Sequence, residues 1–262
     1  MSRYVHGYLD TELILNDLYL YIDPSNPKCW DGVSSKVYDL SPNKFIFTSS
    51  FTGSTDLMPS SSFNEFGFRT LAFNKPDYLV GQYLESTTNS GLFGRTVEIT
   101  VFAVVKPTDV SGVYHGILTQ NYVDNGDCSF YGILNANSQV GFFYDQWRPS
   151  GLRAGDAVIS ANNRYIGCWS SYRVDDFIYS GSMYHNGVIQ ESVQYNPGSW
   201  LEDRFLLNAP FRIGNYKPDD SNFWFRGDIE TIMVFNRELS STEISKVHNF
   251  LMAKYNVTRS IE

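Results

Sequence analysis

The sequence is short of cysteine, of charge and of long apolar runs, and each shortage narrows what the chain can be. Cys29, Cys128 and Cys168 are its only cysteines, odd in number and widely spaced, with no CxxC pair. Neither a disulfide framework nor a thiolate zinc site is indicated, and the three read as reduced, mostly buried thiols of a protein made in a cytoplasm. Charged residues make up only 18%, and 20 Lys and Arg stand against 28 Asp and Glu, a formal net charge of −8. That balance argues against nucleic-acid binding through phosphates and against docking on anionic membrane. No apolar run approaches membrane-spanning length, so no membrane insertion is expected. The opening MSRYVHGYLDTELILNDLYLYI lacks the basic start and apolar stretch of a secretory leader. There is no internal repeat and no low-complexity linker.

Catalytic signatures are also missing. His6, His115, His185 and His248 show no H-E-x-x-H spacing, and there is no G-x-S-x-G elbow. The four histidines therefore read as satisfied or solvated side chains. A Ser-His-Asp or Cys-His site assembled in space stays open, because such partners meet in the fold and not in sequence.

What is present is strand-forming sequence. Aromatics are 16% of 262 residues, a length that an all-β sandwich often uses as one domain. The most informative stretch runs from Gly227 to Tyr255. Asp228 to Phe235 reads as a strand, with Glu230, Ile232 and Val234 expected on one face and Ile229, Thr231, Met233 and Phe235 on the other. Ser240 and Glu243 have capping-box spacing. Ile244, Val247, Leu251 and Tyr255 then recur at helical spacing, which predicts a helix over about 241–255 stopped near Asn256.

Upstream, strands are expected at Leu13–Ile22, around Val37–Leu40, from Leu71 and at Val97–Lys106, with a loop carrying short strands over 48–68. Hairpins are expected for Ser129–Ala136 with Gln139–Asp145, for Arg164–Val174 with Phe177–Tyr184, and across Asn186-Gly187 into Val188–Gln194. Residues 1–12 read as an arm or edge extension, and 13–262 as one domain. Roughly a dozen strands and one closing helix give the all-β sandwich pattern.

Several of these segments resemble a known family. Gly227-Asp228-Ile229-Glu230, Val234-Phe235-Asn236-Arg237-Glu238-Leu239-Ser240, Thr242-Glu243-Ile244 and Leu251-Met252-Ala253-Lys254-Tyr255 resemble the end of laminin-G-like domains, most closely those of bacteriophage virion proteins. The Met183–Val188 hairpin, Phe211–Asn215, and the opening Asp23 to Ser41 are similar in the same order, although Pro42-Asn43-Lys44 is shorter and less glycine-rich than the family's stretch there. The resemblance implies a two-sheet antiparallel jelly roll of the concanavalin A-like kind closed by a C-terminal helix. It also implies a non-enzymatic virion protein, made in the host cytoplasm and exposed by lysis. Such a protein would serve as a capsid decoration, fibre or tail component, with other virion proteins, copies of itself and host-surface glycans as partners.

Three chemistries compete within that frame. Glucanase relatives carry Glu-x-Asp-x-x-Glu on one strand, and that pattern is absent; Asp228 and Glu230 share a strand face but lie in the scaffold segment. Calcium is the cofactor the resemblance implies, with Asp124, Asp127, Asp219 and Asp220 in loops as hard oxygen donors, against their reading as solvated turn residues. Sugar binding needs an aromatic face beside hydroxyl-recognising polar groups. Tyr144, Asp145, Trp147 and Arg148 fit at a strand end, with Tyr172 and Arg173, beside Trp169, on an adjacent strand and Trp224 as a third candidate; aromatics at this density must also fill the core. A glycan-degrading enzyme and a purely architectural capsid protein stand as the alternatives.

Overall fold

The computed structural model describes residues 17–49, 58–74, 82–88, 98–110, 114–122, 128–135, 140–143, 152–153, 159–173, 179–195, 210–215 and 224–258. They form two antiparallel sheets packed face to face, with one helix among the described residues. In chain order the strands are β1 (Leu18–Ile22), β2 (Lys36–Tyr38), β3 (Ile46–Ser49), β4 (Ser60–Phe63), β5 (Arg69–Phe73), β6 (Leu84–Ser86), β7 (Ile99–Pro107), β8 (Tyr114–Tyr122), β9 (Cys128–Asn135), β10 (Val140–Phe143), β11 (Leu152–Arg153), β12 (Tyr165–Arg173), β13 (Tyr179–His185), β14 (Val188–Tyr195), β15 (Phe211–Ile213) and β16 (Gly227–Phe235), followed by helix α1 (Ser241–Tyr255). The first sheet runs β14-β13-β12-β7-β16-β5-β4, with β1 added on β16; the second runs β11-β10-β9-β8-β15-β6-β3-β2. The sandwich expected from the sequence is the one observed. The proposed arm, residues 1–12, lies outside the described residues.

β16 is the centre of the first sheet. It pairs with β7 along its whole length, while β5 and β1 share its other side, β5 against Gly227–Ile229 and β1 against Ile232–Phe235. The register against β7 slips between Ile229 and Thr231, where β16 carries one extra residue, Glu230. Such a bulge resets the two-residue alternation. Ile229, Ile232 and Val234 face the second sheet, whereas Met233 and Phe235 face α1. This corrects the alternation read from sequence, which put Glu230 with Ile232 and Val234.

Two cores result. Between the sheets, Ile22, Val37, Phe47, Leu71, Val105, Trp169, Ile213 and Ile229 are buried together. On the far side of the first sheet, Phe102, Val104, Ile166, Cys168, Met233 and Phe235 are covered by Ile244, Val247, Leu251 and Tyr255 of α1. Those four are the stripe that helical spacing predicts. Cys29 and Cys168 are free and buried, and burial pushes the Cys29 thiol up to about 12 and the Cys168 thiol well above its ordinary value.

Local signals hold where chemistry dictates the backbone. Asn186 and Gly187 both take positive φ, 48° and 77°, as the tight hairpin between β13 and β14 requires. Ser240 accepts from the Glu243 amide while Glu243 accepts from the Ser240 amide, and Asn256 closes the helix in the left-handed region. Elsewhere strands shift: β8 extends beyond the Gly116–Gln120 strand that the sequence suggests, β5 begins earlier at Arg69, and β6 was not anticipated because three residues are too few to show a period. Removing the cap oxygen by Ser240→Ala is expected to destabilise the fold by about 1 kcal/mol, read as a lowered midpoint in chemical denaturation.

Candidate functional site

The densest cluster of charge lies on the helix side of the first sheet. Arg164, immediately before β12, is nearly buried, its side chain 7% exposed. Its Nε and Nη2 donate to the Glu230 carboxylate at 2.6 and 2.9 Å, its Nη1 and Nη2 to Glu65 at 2.8 and 2.9 Å, and its Nη1 also to the Tyr255 carbonyl at 3.3 Å. Asn64 adds a donor to Glu230 at 3.2 Å, and the Tyr255 hydroxyl meets the Glu230 carbonyl and the Thr231 hydroxyl. Because of the bulge, Glu230 and Thr231 both reach this face. One guanidinium thus joins the β4–β5 turn, β16 and the last turn of α1.

Asp228 and Glu230 do share a face, as two positions apart on a strand must. Both are committed to the scaffold. Glu230 is fully buried under its donors, and Asp228 accepts from Thr70 at 2.8 Å. Burial pushes both carboxyls up, with the Thr70 hydrogen bond opposing this at Asp228 and the Arg164 hydrogen bonds opposing it at Glu230. Glu230 therefore presents no oxygen to a substrate, and Asp228 is half-buried with its Oδ1 held by Thr70, so the two do not form the open pair of carboxylates a glycosidase needs.

The predicted sugar contacts are placed only in part. Tyr144, Asp145, Trp147 and Arg148 lie outside the described residues, following directly on β10. Asp124, Asp127, Asp219 and Asp220, the candidate calcium donors, also lie outside them. Tyr172 is half-buried on β12, and Arg173 ends that strand opposite Tyr179. Tyr165 and Trp169 of β12 face the second sheet, while Ile166 and Cys168 face α1. The alternation therefore puts Tyr172 on the helix side, away from Trp169, which is buried. Trp224 is 6% exposed and bridges Gly116 and Asn215 through its backbone, while His115 Nδ1 lies 2.8 Å from its carbonyl. Its ring is packed and offers no open face.

The described residues carry a different aromatic surface. Exposed large hydrophobic residues among them are Val33, Tyr38, Phe63, Phe66 and Ile189. All but Ile189 fall on the flank formed by the loop before β2, by β2 and by the β4–β5 hairpin. β2 and β4 are the edges there, each paired on one side only among the described residues. In the β4–β5 register Phe63 opposes Arg69 and Ser61 opposes Leu71. The face that buries Leu71 between the sheets thus comes to the surface at Ser61 and Phe63.

Phe63 is 62% exposed, and its ring centroid lies 5.4 Å from the Arg69 guanidinium carbon. Arg69 Nη1 donates to the Trp30 carbonyl at 2.9 Å, tying β5 to the loop. Gly32 has φ +85°, and a Cβ there would lie 2.7 Å from Arg69 Nε and 2.8 Å from the Ser61 hydroxyl, so only glycine lets the loop lie this close. Asp31 holds the loop's shape by accepting from the Val33 and Ser34 amides. A ring, a guanidinium and a serine hydroxyl meet here at a surface, the combination expected at 144–148. Sequence reading missed it because the short strands expected within 48–68 could not be placed, β4 being only four residues long. The available signal was Phe63 itself, an aromatic after three serines with no apolar residue at the alternate positions of the strand.

No protein-family model matches the chain, and no curated protein matches it by sequence. Solved structures do share its fold. A sialidase from Trypanosoma rangeli, in complex with a difluorinated nononic acid, is similar at TM-score 0.58 and 14% identity over 93% of this chain and 34% of that one. The binding domain of botulinum neurotoxin DC, in complex with rat synaptotagmin II, gives TM-score 0.59 and 11% identity over 91% and 52%. Domain 4 of AbnA, a GH43 extracellular arabinanase from Geobacillus stearothermophilus, in complex with arabinotriose, gives 0.56 and 16% over 88% and 98%. The chain spans about a third of the sialidase and half of the toxin domain, but nearly all of the arabinanase domain.

The charge cluster yields two expectations. Arg164→Met, which strands Glu230 without its partner, should cost about 3–5 kcal/mol, and the double variant R164M/E230Q should recover part of it in equilibrium denaturation. The second concerns acid. Hydrogen bonds from Arg164 and Arg237 lower Glu65 and Glu243 from 4.5 to about 2. Folded values below unfolded ones contribute stability that is present above the ordinary carboxylate range and is lost as pH falls toward 2. Asp228 and Glu230, raised by burial, act oppositely, so the informative quantity is a difference. The double variant E65Q/E243Q should lose less stability than the parent over that pH interval.

Proposed function

We propose that this chain is a non-catalytic, lectin-like module of a phage virion protein, serving as a capsid decoration, fibre or tail component, and that it binds host-surface glycans. The observation carrying the glycan reading is the exposed Phe63 ring against Arg69 with Ser61 beside it. An aromatic face takes the apolar side of a pyranose, and flanking donors read its hydroxyls. The fold adds support, since similar structures include an arabinanase domain in complex with arabinotriose and a sialidase in complex with a sugar acid. The non-catalytic part rests on the engagement of Asp228 and Glu230 in the scaffold. The virion part rests on the resemblance carried by Gly227–Tyr255 and the segments before it.

Tyr144, Asp145, Trp147 and Arg148 form a second proposed contact, joined by Tyr172 and Arg173, with calcium held at Asp124, Asp127, Asp219 and Asp220 as the cofactor of the loops. The edges at β2 and β4 favour one further reading, an architectural role in which other virion proteins or copies of this chain cover that flank.

A glycan array probed with the full chain tests the glycan reading. Binding to a defined set of glycans is expected, weakened about five- to tenfold by Phe63→Ala, and without hydrolysis of the bound sugar. Binding that survives F63A but is lost in W147A would move the site to the second contact. No binding to any glycan would leave the architectural role.

A further inference from the structure

The arginines of this fold are not alike. Arg164 pairs with Glu65 and Glu230, Arg212 with Glu85, Arg226 with Asp109, and Arg237 with Asp17 and Glu243. Arg69, alone among the arginines whose side chains are described, has no ion pair. Its one hydrogen bond goes to a neutral carbonyl, that of Trp30, and its Nε is buried with no partner among the described residues. Asp31, an exposed acid on the same loop, is held below the ordinary carboxylate range by the Ser34 and Val33 amides and, more weakly, by the Arg69 charge, but it forms no ion pair with Arg69. Lys28 and Lys36, on either side of the same loop, are exposed and form no ion pair with a described residue. On a chain of net charge −8, this flank keeps its positive charge unspent.

We infer that the Phe63–Arg69 surface selects carboxylated sugars, a uronic or nonulosonic acid unit within a host glycan. This rests on the glycan reading above and narrows it. The guanidinium is pre-positioned by Trp30, Gly32 and Phe63, so little side-chain freedom is lost when it binds an anion. A sugar carboxylate supplies the direct ion pair that no acid among the described residues makes with Arg69, in a charge-assisted hydrogen bond. The Phe63 ring and the Ser61 hydroxyl contact the body of the same unit. A bare anion would use the guanidinium and leave the exposed ring idle.

The test is calorimetric titration of the full chain with two matched pairs: trigalacturonate against its methyl ester, and sialyllactose against lactose. At least one acid is expected to bind about tenfold or more tighter than its neutral partner. Added salt should weaken it, as should Arg69→Gln, while Phe63→Ala should weaken acid and neutral forms alike. Which pair responds separates the uronic from the nonulosonic source. Because R69Q also removes the Trp30 hydrogen bond, its unfolding midpoint is measured alongside, and F63A, at an exposed position, serves as the variant that keeps the fold. Equal binding of acid and neutral members, or binding indifferent to R69Q, overturns the acidic selectivity while leaving the glycan reading intact. If no sugar of either charge binds here or on the array, the glycan reading itself fails. If a polyglutamate peptide binds as tightly as the best acid, with the same loss in R69Q, the surface is a protein-docking site instead.

Discussion

The buried guanidinium of Arg164 is the contact on which the helix side of the fold depends. Three segments that are distant in sequence converge on it: the β4–β5 turn through Glu65, the centre of β16 through Glu230, and the end of α1 through the Tyr255 carbonyl. Apolar packing under α1 is non-directional and would tolerate sliding. The ion pairs and the Tyr255 hydroxyl, which meets both Thr231 and the Glu230 carbonyl, fix where along the sheet the helix stops. The bulge in β16 is what makes this possible, since the extra residue lets the neighbours Glu230 and Thr231 both point to the helix side while Ile229 and Ile232 face the second sheet.

A contrast between two arginines organises the functional argument. Both sit beside an aromatic ring near the β4–β5 hairpin, Arg164 at 5.2 Å from the Phe66 centroid and Arg69 at 5.4 Å from that of Phe63. Arg164 is saturated by carboxylates and acts within the scaffold. Arg69 is held by a carbonyl and keeps its charge. Partner count, more than burial or residue type, separates a structural cation from one available to a ligand.

The parts of this fold written in local chemistry were legible in the sequence. The Ser240–Glu243 box, the Ile244–Tyr255 stripe and the Asn186-Gly187 turn each depend on residues within a few positions of one another, so spacing alone reveals them. The bulge at Glu230 was not legible, because its surroundings are β-branched on both sides and either phase of alternation looks acceptable. Arg164 lies 66 residues from Glu230 and 99 from Glu65, so nothing in its neighbourhood announces the cluster. For the site, Tyr144, Asp145, Trp147 and Arg148 lie outside the described residues, and the ring-and-guanidinium grouping at Phe63 and Arg69 depends on a loop from Trp30 to Ser34 folding over a short strand whose bounds the sequence did not mark. Trp224 shows the converse: an aromatic near acidic residues in sequence that the fold packs away.

The position of β16 has a consequence for how the molecule is made. Among the described residues the last strand in sequence lies inside the first sheet, and it is the partner that β1, β5 and β7 all require. Until residues 227–255 leave the ribosome, β7 has one long edge open, and the apolar face that α1 will cover has nothing to lie against. The sheet therefore closes only once residues 227–255 have emerged, through pairings that link β16 to strands as far back as β1 and carry the kinetic cost of high contact order. Until then the nascent chain exposes unpaired edge and apolar surface, the condition in which partially made β proteins need chaperone protection.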